Sequence, residues 1–233
     1  MPEASAVVAS SESGRKVTLG TQVYAALSQR LVGGELAPGE KISLRHIAET
    51  LGTSVMPVRE AVSRLVADGA LEVSPNKAVA VPGMTREAFC ELTTVRVAIE
   101  GFAAEQAAYN HKNSDMAGIA AHDAAFRSEC EAAIPDRVAA LKANRNFHFA
   151  LYAAADLPTL MPIITGLWLK IGPVLNLDLR LSSQRLAIGG AEAQHARAIA
   201  AVRARDGKEA RAAITQDIET TAGLIAATGR LAR

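Results

Sequence analysis

At 233 residues, 49% of them hydrophobic and 21% charged, the chain has room for a small module and a second domain with a core of its own. Its formal charge of +1 lacks the basic excess that would announce nucleic-acid binding by itself, and no uninterrupted apolar run reaches the ~18 residues of a membrane span. Only Cys90 and Cys130 are present, far apart and in helical pattern, which excludes a disulfide framework and points to a reduced, cytoplasmic protein.

In chain order, residues 1–16 are rich in Ala, Ser and Glu without the basic start of a signal peptide, so a disordered tail is expected there. Residues 17–82 read as one module. A helix over 21–32 puts Val23, Leu27 and Leu31 on one stripe and stops at Gly33-Gly34, after which Pro38-Gly39 turns the chain. Residues 43–66 then form two short amphipathic helices around a turn at Gly52. In the first, Leu44, Ile47, Ala48 and Leu51 share a buried face, and Ser43 is the cap. In the second, the Ser54 hydroxyl is placed to accept first-turn amides, and Pro57 sits where a missing N–H costs little. Val58, Ala61, Val62 and Leu65 point inward, leaving Met56, Arg59, Glu60, Ser63 and Arg64 outward. A rigid rod with two guanidinium groups on its open side fits a DNA major groove. The bland alternative pairs Arg59 and Arg64 with Glu60 and Asp68 as solvated surface charges. Asp68-Gly69 ends the rod, and segments 71–73 and 79–81 alternate as strands around a turn at 74–77. Helices plus a hairpin make a winged helix-turn-helix, with double-stranded DNA as the expected partner.

The motifs Gly34-Glu-Leu-Ala-Pro-Gly39, Ile47-Ala-Glu-Thr-Leu-Gly52 and Pro57-Val-Arg-Glu-Ala-Val62 run through this module, which resembles the DNA-binding domain of the GntR family of bacterial transcription regulators. The resemblance implies operator contacts by Arg45 and Arg59, with Ser54 near the phosphate backbone. The outward Met56 and Arg64 and the wing cation Lys77 complete the expected DNA-binding face. The chain departs from the family pattern at Val55, where an Arg is usual, and at Ala78, where the wing usually has a Gly. Losing that Arg changes the operator read. Over residues 15–83 eight Lys/Arg face six Asp/Glu, a formal +2, so one copy is expected to bind weakly. A homodimer reading half-sites about one helical turn apart is the natural solution.

Pro82-Gly83 marks a boundary, and residues 83–233 are Ala-rich with a helical period, which predicts a bundle of six to seven helices and a mainly α chain. Helices are expected near 85–109, 114–133, 136–155, 159–171, 173–187, 191–205 and 208–227, with breaks at Gly172-Pro173 and Gly189-Gly190 among others. Polar residues interrupt the apolar stripes. Asn144 and His148 align with Leu141, Leu151 and Ala155; His195 aligns with Ala198, Ile199 and Val202; Asp217 lies between Ala210, Ile214, Thr221 and Leu224. A buried carboxylate is costly without a cation or a metal. Two imidazoles, one carboxylate and an amide oxygen suit a divalent metal such as Zn, Ni or Mn, with positions left open for a ligand. Arg96 sits in the stripe of Phe89, Leu92, Ile99 and Ala103, where its fork needs an anion: Glu100 one turn on, or the carboxylate of an effector. Arg145, beside His148, is a second candidate for effector contact.

Residues 84–228 resemble the FCD ligand-binding domain of the FadR subfamily, on the segments Asn144-Arg-Asn-Phe-His148 and Glu192-Ala-Gln-His195 and the position of Asp217. The resemblance implies a metal held by an Asp and a His one turn apart, a His on a later helix and a His on the last. Asn144 stands where Asp is usual and Asp217 where His is usual, so the carboxylate has crossed the site. Either the metal site is rearranged, or the metal is gone and His148 or His195 is protonated against Asp217. The expected protein is a homodimeric transcription regulator without catalytic residues, by default a repressor released when a small organic acid binds. Two rivals remain: a metal-free regulator whose bundle serves dimerisation, and a metal-dependent enzyme in which His148, His195 and Asp217 activate water.

Overall fold

The computed structural model describes residues 18–74, 77–181 and 190–232, without the side chains of 176–181. The expected tail over 1–16, part of the wing turn and the end of the helix expected at 173–187 lie outside the described residues.

The N-terminal module runs α1 (Leu19–Val32), β1 (Lys41–Ile42), α2 (Leu44–Thr50), α3 (Val55–Ala67), β2 (Glu72–Val73) and β3 (Val79–Ala80). Hydroxyl caps start α1 and α2: Thr18 accepts the amide of Thr21, and Ser43 that of His46. Ser54 holds the same position before α3, yet its side chain makes no cap bond. The residue three on is Pro57, which has no N–H to give, so the expected cap fails for a local reason. A second departure is Leu51, 40% exposed rather than buried, because α2 closes at Thr50 and the chain turns through Gly52 at φ +61°. Ile47 and Ala48 are the buried residues of the α2 face, with Leu44 half-buried against the same core.

The wing gains a strand that periodicity did not indicate. β1 pairs antiparallel with β3, which pairs antiparallel with β2, giving the order β1-β3-β2. Val79 in β3 and Val81 just after it are buried in the core that α1 and α3 share.

Six helices follow among the described residues: α4 (Arg86–Asn110), α5 (Asn113–Glu131), α6 (Arg137–Ala153), α7 (Leu160–Leu181), α8 (Ala191–Arg203) and α9 (Gly207–Ala227). The antiparallel-packing surface of α4 and α9 is built from small residues. Gly101 leaves room where an added Cβ would lie 3.2 Å from Arg211 Cγ and 3.3 Å from Thr215 Oγ1. The break expected at Gly172-Pro173 does not exist: α7 continues straight through both residues. Pro173 withholds one backbone donor, but residues 171 to 175 are all buried, and packing outweighs the local cost. Gly172 is there for closeness. A Cβ on it would lie 2.6 Å from the Leu31 carbonyl oxygen and 2.8 Å from Val32 Cα, so α7 presses on the end of α1. One apolar core consequently runs from Leu31 and Leu65 through Leu169 and Ile171 into the bundle. No helix among the described residues is long and apolar enough to cross a membrane.

Candidate metal centre and nucleic-acid interface

The outer face of the N-terminal module carries charges left free. Arg45 on α2 and Arg59 on α3 are exposed and make no hydrogen bond or ion pair to the described residues. Met56 is 74% exposed beside Arg59. The surface pairing of Arg59 and Arg64 with Glu60 and Asp68 is not what forms. Glu60 lies against the first turn of α1, where a Cβ on Gly20 would overlap its carboxylate. A carboxylate there meets amides that the helix leaves unpaired. Arg64 stacks over the Tyr24 ring, 4.1 Å from its centroid, and the Tyr24 hydroxyl donates to Asp68 Oδ2 at 2.7 Å. Arg64 is thus engaged with α1, while Arg45 and Arg59 remain open. In the wing, Lys77 itself adopts φ +62°, the conformation in which the family pattern suggests a Gly nearby.

Within the bundle, α6 supplies His148, α8 supplies His195 and α9 supplies Asp217, and one donor atom from each lies within 4.8 Å of the others. All three are buried. His148 Nε2 is 3.3 Å from Asp217 Oδ2. On its other side, His148 Nδ1 is 3.0 Å from the Tyr152 hydroxyl, which donates to Glu100 Oε2 at 2.7 Å. Because that hydroxyl spends its proton on Glu100, the network assigns the proton between it and His148 to Nδ1. A neutral His148 then points a lone pair at an ionised carboxylate, an arrangement that requires a proton or a cation between them. Burial pushes the Asp217 carboxyl up, but a hydrogen bond and charge from His148 when its Nε2 also carries a proton, with His195 and Arg96 beyond, bring it below the ordinary carboxylate range.

His195 is oriented from outside. Its Nδ1 lies 3.2 Å from Asp123 Oδ1 on α5, and Asp123 Oδ2 accepts from Arg127 Nε at 2.8 Å. Burial raises the Asp123 carboxyl, yet the bonds from His195 and Arg127 bring it below its usual value, so it is the ionised acceptor. Burial also pushes the His195 imidazole down, more than Asp123 pushes it up, which favours the neutral ring with Nδ1 protonated. Nε2 is then a lone pair, and it is buried with no hydrogen-bond partner. Phe147 stacks on the ring at 3.8 Å between centroids, fixing its plane. An unpaired imidazole nitrogen steered by a carboxylate, facing a second imidazole and an acid, is the donor chemistry of a divalent first-row metal site. The residues present therefore fit such a group.

Sequence reasoning found His148, His195 and Asp217 but missed Asp123, Tyr152 and Trp168. Asp123 was visible in principle: Ile119, Asp123 and Phe126 fall at i, i+4, i+7, and all three are buried. Asn144 sits one turn before His148, half-buried, with no hydrogen bond to the described residues. Arg96 resolves toward Glu100. Its Nε and Nη2 lie 2.6 and 3.3 Å from the Glu100 carboxylate, which also accepts from Tyr152 and from Trp168 Nε1 at 3.0 Å. Arg96 Nη1 has no partner among the described residues. Arg145 does not face His148. It bonds its neighbour Asn146 at 3.0 Å and comes within 3.9 Å of a Cβ built on Gly33, so it is turned to the N-terminal module.

With this geometry in place, comparison is informative. Residues 19–81 match the bacterial regulatory proteins of the gntR family, and residues 91–220 match the FCD domain. This chain belongs to the GntR family of bacterial regulators, in its FCD-containing, FadR-like branch. Its relatives include the HTH-type transcriptional regulator McbR of Escherichia coli strain K12, 32% identical over 162 residues that span 70% of this chain and 72% of that protein. The solved structure of E. coli McbR/YncC superposes with a TM-score of 0.84 at 28% identity, covering 92% of this chain and all of that one. A "Probable D-xylose utilization operon transcriptional repressor" of Paenarthrobacter nicotinovorans is 28% identical over 90% of each chain. The family architecture makes this chain a DNA-binding transcription regulator, of winged helix-turn-helix and helical FCD domain.

Proposed function

We propose that the chain is a homodimeric repressor whose grip on operator DNA is loosened when a small organic acid binds at a metal-containing centre in the bundle. The orphaned Nε2 of His195 carries this reading, since a buried lone pair without a partner is costly and a cation removes the cost. His148 Nε2, His195 Nε2 and an Asp217 carboxylate oxygen would hold the ion, with Asn144 one turn away as a weaker fourth group. A divalent ion there would supply open positions for an effector carboxylate. Arg96, through its spare Nη1, is the protein's own anchor for that carboxylate, while Glu100 keeps its charge compensated.

The route to DNA is short. Trp168 donates to Glu100 in the centre; two residues on, Lys170 lies over Gly69 at the end of α3; two further on, Gly172 presses on α1. A shift of α7 at the centre therefore moves α1 and α3 of the DNA-binding module, a population shift rather than a wire. Arg45, Ser54, Met56 and Arg59, with Lys77 at the wing and Arg64 behind them, form the DNA face. Phe102 and Tyr109, seven residues apart on α4, stay 39% and 48% exposed and support a self-associating surface. The similarity to a D-xylose operon repressor supports repression as the sign.

The 3.3 Å contact between His148 and Asp217 favours one second reading, a metal-free network with His148 doubly protonated. Metal analysis of protein purified without chelator separates the two. One ion per chain, lost in His195→Ala together with the acid response, is expected; no ion, and thermal stability unchanged by EDTA, overturns the metal centre in favour of the network.

A further inference from the structure

Away from that centre, a cavity of about 430 Å³ opens at the seam between the two modules. Gly69 and Ala70 at the end of α3, the Val81–Met84 stretch leaving the wing, and faces of α4 and α7 form its walls. The size and the placement between domains are those of small-molecule sites. Leu92, Val95 and Leu167 make the lining apolar, and its charged residues are one acid, Glu91 on α4, and one base, Lys170 on α7. Neither has an ion-pair or hydrogen-bond partner among the described residues.

These two charges restrict the occupant. A simple carboxylate satisfying Lys170 brings its charge to the same lining as Glu91; a simple amine satisfying Glu91 does the same to Lys170. A neutral apolar molecule covers both charges and pairs neither, which costs free energy. We propose that the seam cavity is a second ligand site, for a small zwitterion with an apolar side chain, such as an apolar amino acid or a short apolar peptide. Its carboxylate meets Lys170, its ammonium meets Glu91, and its side chain fills the space beside Leu92, Val95 and Leu167. Lys170 already lies over Gly69, with Cε 3.3 Å from a Cβ built there, so a ligand held by Lys170 sits against the end of α3 and favours one angle between the modules. The site uses none of His148, His195 or Asp217 and stands or falls apart from the metal centre.

Calorimetric titration of the full chain tests it, with L-leucine and L-leucyl-L-leucine as probes and isopentylamine and 4-methylpentanoate as single-charge controls. At least one zwitterion is expected to bind once per chain, roughly tenfold or more tighter than either control, a difference of about 1.4 kcal/mol. Lys170→Met and Glu91→Gln should each weaken it by a similar factor, and the double variant Glu91→Lys with Lys170→Glu should restore binding with the ligand reversed. EDTA treatment and His195→Ala should leave it unchanged. Absence of zwitterion binding, equal binding of the single-charge controls, indifference to both single variants, failure of the charge swap, or loss of binding with EDTA overturns the proposal. Both side chains are exposed, and an unaltered unfolding midpoint in each variant identifies any loss as a binding effect.

Discussion

The DNA-facing module and the bundle treat their charges in opposite ways. On the module, Arg45 and Arg59 are exposed without partners among the described residues, which costs little and leaves them free for phosphates and base edges. In the bundle, Arg96, Glu100, Asp123, His148, His195 and Asp217 are all buried, and each is tied to another. There a free group is expensive, so His195 Nε2, buried without a hydrogen-bond partner among the described residues, says more than any exposed charge. Exposure makes availability cheap, so it counts only together with geometry; burial makes it costly and diagnostic by itself.

The sharpest way to break this contrast is to remove one buried charge and one exposed charge and compare. Glu100→Ala strips the carboxylate from Arg96, which is 5% exposed, and leaves Tyr152 and Trp168 without their acceptor. Breaking a buried pair this way costs about 3–5 kcal/mol, so urea unfolding should show a correspondingly lower midpoint. A loss below about 1 kcal/mol would mean that water reaches Arg96 and that the bundle centre is not sealed.

The seam between the two regions should respond next. Gly172→Ala puts a methyl 2.6 Å from the Leu31 carbonyl, and overpacking of this kind costs about 1–3 kcal/mol. Because α7 touches the bundle centre through Trp168 and α1 through Gly172, operator affinity and its response to the effector should both shift. A variant that loses stability but keeps the response intact would show that α7 packs the modules together without coupling them.

Arg59→Ala should leave the unfolding midpoint within about 0.5 kcal/mol of the parent, since the exposed side chain makes no hydrogen bond, ion pair or ring contact among the described residues. Operator affinity should nevertheless fall by about 1–3 kcal/mol, read by fluorescence anisotropy at fixed salt. Arg64→Ala serves as the internal comparison. Its stacking on Tyr24 predicts a measurable loss of stability and a smaller loss of DNA affinity than Arg59→Ala gives.

Legibility from sequence followed the same division. The winged helix was readable because its turn residues and its apolar spacing are local signals: Ser43, Gly52 and the stripe Val58, Ala61, Val62, Leu65 all behave as spacing requires. Its errors were local too. Pro57 was read as harmless at the start of α3, although it is the very residue whose amide Ser54 would have capped. The strand β1 escaped because two residues carry no period and owe their form to β3 beside them. In the bundle, periodicity aimed His148, His195 and Asp217 inward, which the structure shares. It missed that Asp123 meets His195, because the two lie 72 residues apart in sequence. The Gly172-Pro173 break failed for the same reason: the contact with α1 that keeps α7 helical there is invisible to any local rule.

The subtlest test concerns Tyr152, which touches no candidate ligand atom of the centre except through the far side of His148. Its hydroxyl accepts a hydrogen bond from Nδ1–H and donates its own to Glu100, so its role is to keep His148 Nε2 bare toward Asp217. Burial, then the Glu100 charge, raises the Tyr152 hydroxyl well above its usual value, so it stays a neutral donor. Tyr152→Phe preserves the ring and its packing and deletes only this relay. Outer-shell partners of ligating histidines are typically worth 10–100-fold in metal affinity, and the lower end, roughly tenfold, is expected because Phe147 and Trp168 still hold the His148 ring. Competition with a fluorescent chelator measures it directly. If affinity for the ion is unchanged while stability drops, Tyr152 is a packing residue and the proton assignment on His148 is wrong; if affinity falls and stability holds, the bundle's satisfied charges exist to leave one lone pair, and its neighbour across the site, ready for an ion.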